Sequence, residues 1–305
     1  MELTPKIIVR FVILLCLILL IQISFYGTWA RADMALMDGE SIQDQAGRKV
    51  ALDQTYQRIV SLYGAHTENL FELGASDQII GVSRNEDYPP EALKKPIFSY
   101  HDDPEKFLAS RPDLVLIRPM IDRGYPQLIS RLEKSGITVI SLQPSTVDQL
   151  RTYWKILGHL TGRRDQAQAM VSRFDSAVAE YKAQGSEIKP KKKVYFEAIH
   201  SKMKTFSPDS MAIFALKAAG GINIAQDAQP VRRTNIAAYG KERIMSHADE
   251  IDVYLAQFGQ MNRPTVSMIK GEPGFSAIKA IRNGEIYLID EMIVSRPTLR
   301  LLEGI

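Results

Sequence analysis

The sequence predicts an α/β protein of two doubly wound, Rossmann-like lobes bridged by one long helix, with a ligand cleft between the lobes. Three observations predict this. Short β-prone runs alternate with helical stretches from Arg58 to Leu142, the pattern of a parallel sheet covered by helices. The alternation then stops for Arg164–Gln184, which has neither Gly nor Pro and carries Ala167, Val171, Phe174, Val178 and Tyr181 on one helical face. It restarts at Val194. A chain of 305 residues also exceeds what one compact core usually holds.

Taken in order, residues 1–32 read as an export signal. Lys6 and Arg10 precede an unbroken apolar run from Phe11 to Ile21, and Ala30-Arg31-Ala32 supplies a cleavage site after Ala32. A permanent anchor needs roughly 20 apolar residues, and Gln22, Ser24 and Arg31 interrupt the run too early. Leu15 stands before Cys16 where a lipoprotein signal wants a small residue, so a soluble exported (periplasmic) protein is expected. Residues 33–57 form a polar lead-in with one hairpin over Ser41–Leu52, turning at Gln45-Ala46-Gly47. The N-terminal lobe occupies 58–146, with strands at Ile59–Tyr63, Ile79–Val82, Leu114–Ile117 and Thr138–Leu142. Its helices are Thr67–Leu73, Pro104–Ser110 and Pro126–Lys134. Bridging helices fill 147–188, and Lys189-Pro190-Lys191-Lys192-Lys193 reads as an exposed turn. The C-terminal lobe, 189–305, has strands at Val194–Ile199, Val253–Gln257 and Glu285–Asp290, and helices at Met211–Ala219, Lys241–His247 and Phe275–Arg282.

A repeat links the lobes. Glu105 opens a short helix and the strand begins nine residues later at Leu114; Glu242 does the same before Ile251. Glutamate also favours first helical turns for the dipole alone, so spacing by itself leaves the repeat open.

Composition narrows the function. The formal charge is +3, and residues 1–32 hold +2 of it. The rest is nearly neutral, which excludes the basic footprint of a nucleic-acid binder. Beyond the signal no cysteine remains, so neither a disulfide framework nor a thiol nucleophile is available. No catalytic or phosphate-binding motif is present, and no enzyme is expected.

His66, His101 and His200 follow predicted strands or precede helices, where the ligand sites of open α/β sheets gather. Together they suggest a direct Zn or Mn receptor as an alternative, although none has a partner at ligand spacing. Arginines and aromatics carry more signal. Arg84, Tyr88, Tyr100, Arg118, Arg123 and Tyr125 lie in N-terminal-lobe loops. Lys202, Lys204, Phe206, Arg232, Arg233 and Phe258 take comparable places in the second lobe. Guanidinium forks suit carboxylate and phosphate, and rings give flat apolar contact. Such a cleft prefers a large, partly planar, anionic ligand.

The ordered series Arg58-Ile59-Val60-Ser61-Leu62, Thr67-Glu68, Leu73-Gly74, Ile80-Gly81-Val82-Ser83 and Asp87-Tyr88-Pro89-Pro90 resembles the Fe/B12-type periplasmic binding proteins. Arg111-Pro112-Asp113-Leu114-Val115, Gly136-Ile137-Thr138-Val139, Ala219-Gly220-Gly221-Ile222-Asn223 and Ala277–Gly284 continue the likeness, which runs from about Arg58 to Leu302. These are solute receptors of ABC importers for ferric siderophores, haem and cobalamin. The resemblance implies a monomer that holds no covalently bound cofactor and captures a metal chelate between its lobes. It further implies that Glu105 and Glu242 dock on arginines of the membrane permease. Among ligands a ferric siderophore comes first because of the arginines, with cobalamin and haem next. Tyr88 matches an aromatic that packs on corrin in cobalamin receptors and ligates iron in some haem receptors. Tyr63-Gly64-Ala65-His66 departs from the usual small-residue loop, which adds Tyr63 and His66 to the candidate contacts. The sequence stops soon after Ser295-Arg296-Pro297, where the family begins its last helix, so either a shortened final helix or a truncated sequence is expected.

Overall fold

The computed structural model describes residues 36–37, 41–231 and 234–305. The expected signal, with Cys16 and the cleavage site, lies outside them, as do Arg232 and Arg233. Strands β1 (Leu36–Met37), β2 (Ser41–Gln43) and β3 (Lys49–Ala51) form a small antiparallel sheet. Gly47, at φ 88°, makes its turn. The Asp44 carboxylate accepts from the Ala46 and Arg48 amides within that turn and from the Ser141 amide at 2.8 Å, tying the hairpin to the N-terminal lobe.

That lobe is built from β4 (Ile59–Ser61), α1 (Gly64–Glu72), β5 (Ile79–Ser83), β6 (Ile97–Phe98), α2 (Pro104–Ser110), β7 (Leu114–Ile117), α3 (Pro119–Gly124), α4 (Pro126–Lys134) and β8 (Thr138–Ser141). Its sheet is wholly parallel, in the order β6-β5-β4-β7-β8. All four residues of β7 are buried, the apolar run expected of a strand covered on both faces.

Two helices follow, α5 (Val147–Thr161) and α6 (Arg164–Glu187). At 24 residues, α6 extends about 36 Å at 1.5 Å per residue. Near its middle Phe174 meets Trp154 of α5 edge-on, and it stacks on Phe214 of α7 (Met211–Ala218). Gly185 continues the helix past the expected end at Gln184 because α6 presses on the second lobe there. A Cβ at Gly185 would sit 2.7 Å from the Ala218 carbonyl oxygen. One buried cluster therefore runs from Ile59 and Leu114 through Trp154 and Phe174 to Met211, Ala215 and Leu301.

The second lobe comprises β9 (Lys193–Ile199), β10 (Lys204–Phe206), α7, β11 (Ile222–Asn223), β12 (Gln229–Pro230), β13 (Ile236–Ala238), α8 (Lys241–Ser246), β14 (Val253–Phe258), α9 (Val266–Gly271), α10 (Lys279–Asn283), β15 (Ile286–Asp290) and α11 (Glu291–Val294). Here the sheet differs from the expectation of uniform winding. β9, β11, β14 and β15 are parallel, while β10, β13 and β12 extend it antiparallel. The four residues between β9 and β10 are too few for a parallel crossover, so the chain reverses there, with Met203 at φ 46°. The helix expected over Phe275–Arg282 is broken at extended Ile278 into a 3₁₀ turn, Phe275–Ala277, and α10.

The internal repeat is present in a shifted register. Glu105 is the second residue of α2 and Glu242 the second of α8, with Phe107 and Ile244 buried beneath them. Asp113 precedes β7; its amide donates to the Arg58 carbonyl, and its carboxylate accepts from the Arg58 amide at 2.9 Å. Asp252 precedes β14 and makes the same pair of bonds with Lys193, its carboxylate at 2.8 Å. The counterpart of Asp113 is thus Asp252, and the strand begins at Val253 rather than Ile251, because the connection after α8 is longer.

Candidate functional site

Open α/β sheets bind ligands beyond the carboxyl ends of their parallel strands. In the first lobe those ends deliver Tyr63 after β4, the Arg84–Tyr88 loop after β5, Tyr100 and His101 after β6, and Arg118 after β7. In the second they deliver His200 after β9, Phe258 as the last residue of β14 with Met261 after it, and Glu291 after β15. The two sets meet. Tyr63 feels the charges of Arg118 in its own lobe and of Arg296 and Glu291 beyond β15, and its burial raises the phenol pKa against the two guanidiniums. The Arg118 guanidinium lies 5.0 Å from the centre of the Tyr63 ring. Tyr63, half-buried, stands where the two sets of loops approach each other.

Residues after α11 cross back to the first lobe. Arg296 Nη1 pairs with Asp87 Oδ1 at 2.5 Å and approaches Glu68 Oε2 at 3.8 Å. It lies so close to the start of α1 that a Cβ at Gly64 would be 3.1 Å from it. Arg300 stands 4.6 Å over the Tyr88 ring and 3.9 Å from Glu68. Asn69 donates to the Pro297 carbonyl at 2.8 Å while accepting from Trp154 Nε1 at 2.8 Å. Glu68 and Glu86, both largely buried here, have carboxyl pKa values raised chiefly by that burial. Of these partners only Tyr88 is a contact expected from sequence; Arg296 stood only as a landmark. Its pairing with Asp87 across 209 positions leaves no local pattern.

His66 must be withdrawn as a ligand contact. It is fully buried on α1, with Nδ1 2.6 Å from the Tyr153 hydroxyl and Nε2 3.0 Å from the Ile117 carbonyl. Desolvation lowers its pKa to about 4, so it is a neutral core residue. The direct Zn or Mn reading is corrected with it. His101 is exposed beside the Tyr125 hydroxyl at 3.2 Å, within a cluster of Tyr100, His101 and Tyr125 rings. His200 is committed to Glu197 at 2.8 Å. Among the described residues no three His, Cys, Asp or Glu side chains could hold a metal ion.

Phe206 is likewise core, packed on Phe196. Arg84 and Arg123 are exposed, and Arg123 lines an open depression of about 500 Å³ with Arg48, Asp122 and Glu133. Tyr88 is 42% and Phe258 47% exposed, which leaves both rings available. Met261, three residues beyond Phe258, and Met120, on α3 just after Arg118, are absent from the sequence-based set and are 56% and 37% exposed. Glu105 is 67% exposed and pairs with Arg131 at 3.0 Å; Glu242 is exposed on α8.

Comparison with known proteins decides the family. A family model for periplasmic binding proteins matches residues 59–292. The chain belongs to that family. Its members are substrate-binding proteins rather than enzymes. This periplasmic binding protein is 24% identical over 271 residues to an uncharacterized ABC transporter substrate-binding lipoprotein of Bacillus subtilis, covering 87% of this chain and 82% of the relative. It is 23% identical over 253 residues to a vitamin B12-binding protein of Vibrio cholerae, covering 82% and 86%. A possible iron-binding periplasmic solute-binding protein from Staphylococcus epidermidis superposes with a TM-score of 0.72 at 27% identity, over 82% of this chain and 96% of that one. A periplasmic haem-binding protein of Vibrio cholerae shares the fold, with a TM-score of 0.68 at 21% identity, over 81% and 95%. Among the described residues no helix is long and apolar enough to cross a membrane.

Proposed function

We propose that this periplasmic binding protein captures a metal chelate in the cleft beside Tyr63 and delivers it to the permease of an ABC importer. The convergence of both sheets' carboxyl ends on Tyr63 carries this reading. Relatives named for vitamin B12, cobalamin, haem and iron support the ligand class.

Within that class the side chains favour a macrocycle with apolar faces over an anionic siderophore. Of the arginines that put a siderophore first, Arg118 covers Tyr63 and Arg123 lines the depression beside Arg48, Asp122 and Glu133, while Arg84 is exposed in the loop after β5. Arg296 and Arg300, which also reach this region, are held by Asp87 and over Tyr88. What stays exposed is aromatic and thioether surface, chiefly Phe258 and Met261, with Met120 on α3 and the Tyr88 ring that Arg300 partly covers. Rings and thioethers suit a flat, polarisable ligand. Glu105 and Glu242, each on the second residue of a short helix in its own lobe, act as the paired docking carboxylates. Such exposed charges give orientation without a large interface.

Titration of the exported protein with cyanocobalamin, haemin and a ferric hydroxamate, followed by tryptophan quenching and calorimetry, tests the reading. One of the two macrocycles binds most tightly. Absence of binding to all three overturns the function, and a preference for the hydroxamate overturns the macrocycle assignment.

A further inference from the structure

Beneath the second lobe's side of the cleft lies a buried polar network that ligand capture as described does not use. Glu197, near the end of β9, is fully buried. Its carboxylate accepts from His200 Nδ1 at 2.8 Å, from the Tyr254 hydroxyl at 2.5 Å and from Asn262 Nδ2 at 3.4 Å. Asn262, also buried, accepts from the His200 amide on Oδ1 at 3.0 Å and donates from Nδ2 to the Gln257 carbonyl at 2.8 Å. The Gly259 amide closes the turn on the Asn262 carbonyl at 2.7 Å. From the other side the Glu291 carboxylate accepts the Met261 amide at 3.3 Å, and it packs so tightly that any Cβ at Gly259 would overlap it. The turn from Phe258 to Asn262 is thus gripped from below and from the flank, while it offers Phe258 and Met261, about half exposed, to solvent.

A buried ion pair costs desolvation that its attraction only partly returns, so it is weak evidence for stability and is often kept for specificity. Fully satisfied networks of this kind rigidify what they touch. We infer that the Phe258–Asn262 turn is an apolar recognition pad for one face of the chelate, and that Glu197, His200 and Asn262 are positioning residues that hold it in place. This rests on the functional reading above and adds which surface selects the ligand and what sets its geometry. His200 is the titrating member. The groups facing it are Glu197 on β9, Tyr254 on β14, Asn262 in the turn, and Glu272 after α9, itself paired with Lys241 of α8 at 2.7 Å. The Glu197 hydrogen bond raises the His200 pKa above 6.5 against the opposing effect of burial. The imidazolium therefore grips Glu197 below that raised value and lets go as the pH rises through it.

Four proteins test the inference: wild type, Phe258→Ala, Met261→Ala and His200→Gln, each titrated with cyanocobalamin and haemin from about pH 6 to about pH 9. Each pad variant loses affinity by about 10-fold or more, the cost of removing one buried apolar contact. Wild-type affinity falls with rising pH. His200→Gln, which keeps a donor but not the charge, binds more weakly and with a flatter pH profile. In the ligand-free proteins, amide exchange at Gly259 and Met261 is slower in wild type than in His200→Gln, a readout independent of binding. Pad variants that bind like wild type overturn the pad, and equal exchange and pH profiles in wild type and His200→Gln overturn the positioning role. Wild type that binds neither macrocycle overturns the macrocycle reading and the pad with it, whereas the exchange measurement still decides the positioning role.

Discussion

His66 and His200 are two histidines in comparable loop-to-helix positions whose environments drive them apart. His66 has only a phenol and a carbonyl for partners and no carboxylate, so burial dominates and holds it neutral with a pKa of about 4. His200 has Glu197 within hydrogen-bond reach, so its charged form is favoured and its pKa is raised despite burial. Linkage turns the first into a pH dependence. The unfolded chain binds a proton at His66 below about pH 6.5, while the folded protein resists until about 4, so folding stability falls as the pH drops through that window. The loss approaches about 3 kcal/mol, from roughly two and a half units at 1.36 kcal/mol each. Denaturant unfolding between those limits measures it, and His66→Gln flattens this part of the profile. An unchanged slope in the variant would show that other groups carry it. Neither fate was legible from sequence, since both histidines follow a strand and only the partner across the fold differs.

The elements show where local patterning suffices. The buried face of α6 followed from its spacing, because Ala167, Val171, Phe174 and Val178 return to one side of the helix and are all buried. Its true end did not, because Gly185 is read locally as a stop. Contact with α7 overrides that propensity: Gly185 and Gly220 bring two backbones together, and a Cβ at Gly220 would sit 2.4 Å from the Gly185 oxygen. Gly185→Ala accordingly destabilises by about 1–3 kcal/mol, the cost of overpacking. Gly124, helical with nothing within 4 Å of its would-be Cβ, is the control. Gly124→Ala is neutral or stabilising by up to about 1 kcal/mol. Thermal melts of both variants compare the two, and equal effects would refute a steric role for Gly185. The antiparallel β10–β13 extension was missed for a related reason. Three-residue strands carry too little periodicity to announce themselves, and only pairing with β9 makes them strands.

Across the whole molecule, α5, α6 and the segment after α11 bind the lobes into one continuous core. Asn69–Pro297, Arg296–Asp87 and Arg300–Glu68 add polar ties between the end of the chain and the first lobe. A hinge that opened widely would break all of these together. Small-angle scattering profiles of the free and chelate-loaded protein therefore superimpose, and a marked contraction on loading would disprove this rigidity. Docking belongs to the same scale. Glu105→Ala combined with Glu242→Ala abolishes uptake into cells while leaving chelate affinity unchanged; intact transport in the double variant removes the docking assignment. Arg131, 3.0 Å from Glu105, is a surface partner worth at most about 1 kcal/mol, so a permease arginine can replace it readily.

From the sequence alone came the alternation of strands and helices, the long bridging helix, the nearly neutral charge beyond residue 32, and the ordered motifs of the family. Those properties are written in neighbouring residues, through 3.6-residue and two-residue periodicities and through short consecutive runs. Tertiary structure alone decided which titratable groups are buried, which arginines are already spent on Asp87, Tyr63 and Tyr88, and which apolar side chains stay exposed. Those outcomes depend on partners up to 209 positions away and on the desolvation that folding imposes. Neither the partner nor its burial has any local imprint.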